Sequence, residues 1–355
     1  MSLDASAGKT PDNVNGHRRG VLVDPKKLQV ILILLLVLIS IVSLMSGQMH
    51  IKPGMVVQIL ASRVVPLKAD WPATLESVVV DVRLPRLLAG LLIGAGLSIS
   101  GASFQGLFRN PLVSPHILGV SAGAGFGAAL GILFFGNIFM VQLLSFLFGL
   151  LSVWMTYALS RTYRSTPVLM LVLAGIIVGA LFSAATSLLK YLADPVNQMP
   201  SIVFWLLGSL NNVSNKDIAI VGPIILTGTI VLLLIRWRIN LLTMGEEDAR
   251  SLGVDTGKIR GIIIISATFI SAAAVCISGI IGWVGLVIPH IGRMLVGADN
   301  KFLLPVATLI GAIYLVSVDT IARTAMETEI PIGILTAMVG APVFAYLLRK
   351  NRPGW

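Results

Sequence analysis

The sequence predicts an all-α, polytopic membrane protein, and three observations carry that expectation. First, 56% of the 355 residues are hydrophobic and only 12% are charged, with mean hydropathy +0.92. A soluble domain carries roughly a quarter charged residues, so this chain lacks the polar surface to cover a globule in water. Second, apolar runs recur from Leu28 onward, each near the ~20 residues that a helix needs to cross a bilayer. Third, the Lys and Arg residues sit mainly in short segments between those runs, where the positive-inside rule puts them. The formal net charge of +10 is therefore a membrane-topology signal and not a nucleic-acid footprint.

Residues 1–27 are polar and rich in Gly, Asn, Asp and Lys/Arg, a composition that predicts a disordered tail. Ten spans are expected after it, at 28–47, 84–107, 116–135, 138–159, 167–190, 218–236, 260–280, 284–297, 303–322 and 332–348. They make residues 28–348 one transmembrane domain, with a cytoplasmic loop at 238–257 and a short tail at 349–355. The first run is longer than a signal-peptide core and more spans follow it, so it reads as an uncleaved helix. The eighth, of about 14 residues, crosses only as a tilted or protein-buried helix. Ten crossings put both termini on one side. Of the 26 Lys and Arg residues, 18 fall in segments on that side and 8 on the other, which places both termini in the cytoplasm.

Helix contacts are marked by small residues. Gly90, Gly94, Ser98 and Gly101 share one helical stripe, and Gly119, Gly123 and Gly127 share another. In lipid, close backbone approach holds helices together because burying apolar area gains nothing. Gly123-x-Gly125 is not read as a nucleotide loop, since no strand precedes it and Ala128 stands at the third glycine position. The single Cys276 excludes an intrachain disulfide, and His17, His50, His116 and His290 lack ligand spacing, so no metal site is expected.

The loop after the sixth span is polar yet patterned. Gly245 leads into Glu246, Glu247 and Asp248, acids suited to the first turn of a short helix. Ala249 and Leu252 supply a small apolar face, and Gly253 is expected to end the helix. From patterning alone the segment reads equally well as a solvated connector or as a surface offered to a soluble partner.

The run Glu247-x-Ala249-x-x-x-Gly253 resembles the coupling motif of ABC importer membrane subunits, and Gly245 to Val254 resembles the coupling loop of the FecCD-type permeases. Further segments resemble family motifs in order and at similar spacing: Arg83-Leu-Pro-Arg86, Gly94 to Gly101, Gln105, Asn110-Pro-Leu112, Leu118 to Gly123, Trp205 to Gly208, Gly285 to His290 and Ile330 to Gly333. The resemblance covers nearly all of residues 28–348. It implies a vitamin B12 permease-like (type II ABC importer) fold in a bacterial or archaeal inner membrane, forming a homodimer or pairing with a close paralogue. Two cytoplasmic ABC ATPase subunits and an extracytoplasmic substrate-binding protein complete such a transporter, with ATP and magnesium held by the ATPase. This chain is then no enzyme and carries no cofactor of its own. Its sequence agrees, because Gly8-Lys9-Thr10 fails as a phosphate loop with Leu3 at the required upstream glycine.

The same resemblance assigns roles. It maps Arg83, Arg86 and Arg323 onto arginines that meet carboxylates of the binding protein, a pairing that suits guanidinium forks; snorkelling at the interface is the competing reading. It places Asn110, Leu112, Ser165 and Thr166 at a cytoplasmic gate, although Asn110-Pro111 and Ser114-Pro115 also read as ordinary turns. It sets Gln198, Met199, Phe204 and Trp205 beside the pathway, where Trp205 reads equally as an interfacial anchor. The cargo implied is a ferric siderophore or similar metal chelate, with haem, cobalamin or a metal oxyanion as alternatives. An ion-coupled secondary transporter is the competing class and needs intramembrane acids. Only Asp319 stands out as one, and Arg323 four residues on predicts a structural ion pair instead. No Ser/His pair, His-Glu-x-x-His or acid pair supports an intramembrane enzyme.

Overall fold

The computed structural model describes residues 24–47, 49, 51–63, 65, 71–161 and 168–350, and among them it contains helices and connecting turns without a strand. The first helix, α1 (Pro25–Met45), starts inside the segment expected to be a tail. Asp24 accepts from the Lys26 amide at 3.0 Å with Pro25 in the first turn, a capping start that an apolar-run boundary overlooks. The rest of the expected tail, residues 1–23 and 351–355, lies outside the described residues. Two helices unforeseen in the sequence follow, α2 (Pro53–Ser62) and α3 (Ala73–Ser77). A π-helical stretch, Val78–Arg83, joins α3 to α4 (Leu84–Phe108), so that Ala73–Phe108 runs as 36 continuous residues.

A 3-10 turn at Pro115–Leu118 leads to α5 (Val120–Phe134), then α6 (Ile138–Ser160), α7 (Val168–Leu192) and the short α8 (Gln198–Leu207). After these come α9 (Asn215–Leu234), α10 (Arg236–Met244), α11 (Glu246–Ser251), α12 (Thr256–Ser278), α13 (Val284–Val296), α14 (Asn300–Thr324) and α15 (Ile332–Lys350). Among the described residues, seven helices are long and apolar enough to cross a membrane. The expected third, eighth and tenth spans correspond to the shorter α5, α13 and α15. At 13 residues α13 reaches only ~20 Å, and it survives because Val284, Val287 and Ile288 are buried in protein rather than lipid.

The centre of the bundle is α4, buried along almost its whole length against α14, α12, α9 and α13. By contrast α1 exposes Val30, Leu34, Val37 and Leu38, which suits a lipid-facing helix. The first predicted stripe is the α4–α14 seam. A Cβ at Gly94 would lie 2.3 Å from the Gly311 carbonyl oxygen, the reciprocal holds at Gly311, and Ser98 Oγ donates to Ala307 O at 2.8 Å. Gly101 turns instead to Gly285 of α13. In the second stripe Gly123 and Gly127 pack on α6, against the Phe148 and Leu144 carbonyls, while Gly119 faces α7 at ordinary contact distance. Seams this close admit no side chain.

Hydrogen bonds identify the two ends of the bundle. At one end Arg323 Nη1 donates to Ser46 O at 2.8 Å, joining the ends of α14 and α1, and Asn215 Nδ2 donates to Val80 O at 3.1 Å, joining the start of α9 to the π-helical stretch before α4. At the other end Asn240, on α10, binds Asp299 and Asn300 at the start of α14. The start of α1, the end of α15 and α11 belong to this second end. Gly94→Val is expected to lower the thermal unfolding midpoint in detergent, at a cost of about 3 kcal/mol. Gly179→Ala, placed where a Cβ meets nothing within 4 Å, is expected to leave it unchanged.

Candidate functional site

Three features stand out along the bundle axis: a buried charged cluster, a cavity beside it, and a short helix at the opposite end. The cluster collects Arg83, Arg86 and Arg323, which are only 5%, 4% and 7% exposed. Arg86 Nε donates to Asp319 Oδ1 at 2.7 Å, and its Nη1 donates to both Glu329 oxygens at 2.9 and 3.0 Å. Arg323 Nε lies 3.6 Å from Asp319 Oδ2, the i, i+4 ion pair expected from the sequence. Its Nη2 donates to Ser43 O and to Ser43 Oγ, while Arg83 Nη1 donates to Leu44 O at 2.7 Å and Met45 O at 3.0 Å. Arg83 Nη2 reaches Met49 O.

The physical reason is legible in α1. Its last-turn carbonyls have no intrahelical donors, and two guanidiniums from other helices supply them, with positive charge at the negative end of the helix dipole. All three arginines expected to meet a binding protein are turned inward and bonded to this chain's own carbonyls and acids. Glu329, with its side chain 30% exposed, is the acid that carries the cluster to the surface.

That carboxylate also lines a cavity of about 720 Å³. Its wall comes from the end of α5, the start of α6, α8 and three non-helical segments around Ser209, Gly279 and Ile330. The breaks are tied together: Ser209 N donates to Ser278 O at 2.8 Å, and Ile332 N donates to Gly208 O at 2.9 Å. Gly279, at φ 67°, passes so near Trp205 that a Cβ would stand 2.2 Å from its carbonyl oxygen. At membrane depth, unwound backbone is tolerated where it is buried in protein or lines a cavity.

Of the expected pathway residues, Gln198, Phe204 and Trp205 line this cavity and Met199 does not. Gln198 is also structural, donating to Leu133 O at 3.2 Å and accepting from Asp194 N at 3.1 Å. Asp194, in the turn before α8, accepts from Asn197 N and Nδ2, which holds its carboxyl below the usual carboxylate range. Sequence reasoning missed Asn137, Gln142, Asn211 and Asn212 on the wall. For Asn137, Asn211 and Asn212 the available signal was their position where apolar runs break off, whereas Gln142 stands inside α6.

Of the four expected gate residues, Ser165 and Thr166 lie outside the described residues. Asn110 forms the turn that the competing reading predicted, its Oδ1 accepting from Leu112 N at 2.9 Å, and Leu112 is exposed. The loop is anchored by buried Gln105, whose Nε2 donates to Val113 O at 3.2 Å and Leu286 O at 3.3 Å.

At the opposite end, α11 stands as a capped six-residue helix. Gly253 N donates to Arg250 O at 2.9 Å and Val254 N to Ala249 O at 3.0 Å, a Schellman ending with Gly253 at φ 79°. Glu247, Asp248 and Gly253 are exposed, as expected of a surface offered outward; the Glu246 side chain lies outside what is described. The expected apolar face divides: Ala249 is fully buried under the helix, whereas Leu252 is 60% exposed. Since Leu252 is the residue just before the left-handed glycine, the reversing chain turns its side chain away from α10 and α12. The base of this hairpin is fixed by Asn240, whose Nδ2 donates to Asp299 Oδ1 at 2.6 Å and whose Oδ1 accepts from Asn300 N at 2.8 Å. Motif reading had passed over that clasp.

Comparison with known proteins agrees with this layout. The FecCD transport family matches residues 34–350. The molybdate import system permease protein of Haemophilus influenzae is 43% identical over 324 residues, covering 91% of this chain and 95% of that protein. The cobalamin import system permease protein of Halobacterium salinarum is 40% identical over 287 residues, covering 81% and 77%. A solved inward-facing structure, assigned to the metal-chelate type of ABC transporter, superposes with TM-score 0.82 at 41% identity, covering 92% of this chain and all of that one.

The charged cluster generates a stability prediction. Arg86→Met leaves Asp319 only its longer pair with Arg323 and Glu329 with no cation, and is expected to cost about 3 kcal/mol. Arg63→Met, which breaks an exposed pair with Glu76, is expected to cost less than about 1 kcal/mol. Thermal unfolding of both variants in detergent compares them directly.

Proposed function

The chain belongs to the FecCD transport family, and on that premise we propose that it is the membrane-spanning permease subunit of a binding-protein-dependent ABC importer. It is a multi-pass membrane protein of a family whose members are transport subunits rather than enzymes. In our reading ATP is hydrolysed on two separate cytoplasmic subunits, a binding protein delivers cargo from outside, and two copies of this chain enclose the path.

The observation that carries the reading is α11. A six-residue helix with a glycine-fixed ending, projecting exposed Glu247, Asp248 and Leu252 from a base clasped to α14, is a rigid tooth for a soluble motor to grip. The clasp gives displacement of that tooth a mechanical route. Movement of α10 is passed through Asn240 to the first turn of α14, and α14 runs the length of the bundle to Asp319 and Arg323. The α11 end is then the cytoplasmic one, which agrees with the surplus of Lys and Arg assigned to that side. Glu329 and the cavity face outward. A binding protein docking there meets Glu329 and the 325–331 loop before it meets any guanidinium.

For cargo, the reading is a ferric siderophore or similar metal chelate, supported by the metal-chelate type of the superposed transporter. A metal oxyanion is the second reading, favoured by the 43% identity to a permease named for molybdate.

Two experiments test the power route. Glu247→Lys combined with Gly253→Val places a wrong charge and a β-branched residue at φ 79°. Roughly tenfold weaker capture of the ATPase subunit, a change of about 1.4 kcal/mol, is expected from a folded, membrane-inserted chain. Normal capture and uptake would refute the coupling assignment. Asn240→Ala is expected to leave ATPase capture intact while lowering substrate uptake per ATP hydrolysed; an unchanged ratio would remove the clasp from the route.

A further inference from the structure

The wall of the cavity beside Trp205 has a chemical bias that the importer reading does not use. Gln142, Asn211 and Asn212 place side-chain amides on it that make no hydrogen bond with the described residues, and Asn137 keeps its amide N–H groups after its oxygen accepts from Met140 N. Lys, Arg and His do not occur among its described lining residues. The one carboxylate there is Glu329, and both of its oxygens are occupied by Arg86. A cation entering the cavity therefore finds no uncommitted acid. An anion meets no unpaired negative charge and several unused N–H donors, beside the carbonyl oxygens that the same amides carry.

The field behind the wall points the same way. Arg86 and Arg323 pair with Asp319, Arg86 also with Glu329, and a third guanidinium, Arg83, bonds only to backbone carbonyls; all but Glu329 are nearly closed to water. Charges in such surroundings are weakly screened and bias a neighbouring cavity over several ångströms. Neutral donors also suit a station on a route, since conduction needs a ligand held firmly enough to enter and loosely enough to leave. A lysine on the wall would oppose release.

We propose that this cavity is a recognition station for an anion whose surface consists of oxygen acceptors, held by the amides of Gln142, Asn211 and Asn212, with Arg86 supplying positive field from behind Glu329. The chemistry has two possible sources, a bare metal oxyanion or a metal chelate coated with carboxylates. The proposal rests on the importer reading and narrows its cargo to anions.

The test uses the full chain in nanodiscs, with equilibrium dialysis and metal quantification. Molybdate and ferric citrate are the two anion probes; cobalamin and haem are the comparison probes. Saturable retention of molybdate alone assigns the bare oxyanion, and retention of ferric citrate alone assigns the coated chelate. In the Asn211→Leu/Asn212→Leu variant, retention of whichever anion binds is expected to fall at least tenfold. Asn212→Asp, a change of one group, is expected to abolish retention by adding an unpaired negative charge, and it serves if the double variant fails to fold. Glu329→Gln is expected to raise anion retention severalfold, because Arg86 then answers to one acid instead of two, and to leave cobalamin unaffected. Retention of neither anion by folded wild-type chain overturns the proposal, as does anion retention indifferent to the amide variants, or cobalamin or haem held in preference. Capture of the ATPase subunit by the same preparation separates the outcomes: capture without anion retention refutes only the station, and absence of capture refutes the importer reading itself.

Discussion

The contact between α4 and α14 is the constraint on which the other features depend. Gly94 and Gly311 bring the two backbones so near that neither position has room for a Cβ, and Ser98 closes a hydrogen bond to Ala307 one turn further on. In water such a seam would be one contribution among many. In lipid it is decisive, because tails solvate an apolar helix as well as another helix does, leaving close packing and polar contacts to hold the bundle. What α4 and α14 carry at their ends is thereby placed in register. Arg86 meets Asp319 at one end, and Asn240 meets Asn300 at the other.

A rigid pair of this kind suits a protein that converts movement at one face into opening at another. The short α11 is held to the seam by a few strong bonds, and the cavity lies next to its far end. Beside the cavity the chain departs from regular helix at Gly208, at Gly279 to Trp283 and at Ile330. Such breaks cost backbone hydrogen bonds, so each is repaid by a cross-segment bond, as between Ser209 and Ser278. Helix ends and irregular backbone together bring the amides of three separate segments, 137–142, 197–198 and 211–212, to one cavity.

Much of this was legible from residues alone, for reasons that differ by element. Long apolar runs give helix position directly, since the bilayer fixes their length, and the glycine stripes gave the faces by which they pack. The glycine ending of α11 was readable because a left-handed backbone position strongly favours glycine. The partners of the arginines were not legible. A charged side chain next to an apolar run reads as interfacial, and nothing in the neighbouring sequence shows that the last carbonyls of α1, some 40 residues earlier for Arg83 and 280 for Arg323, are waiting for donors. The division between buried Ala249 and exposed Leu252 was hidden for a related reason: helical periodicity assigns faces only while the helix continues, and the chain reverses immediately after Leu252.

The sequence by itself determined that this chain lives in a membrane, roughly where it crosses, which helix faces touch and which segment is built to project. These follow from local composition, spacing and backbone preference, each set by residues close together along the chain. Only the tertiary structure decided which charges neutralise one another, which acid is left at the surface, and which amides face a shared cavity. Those are relations between residues from opposite parts of the chain, and their strength depends on distance and burial, which the linear order of residues does not contain.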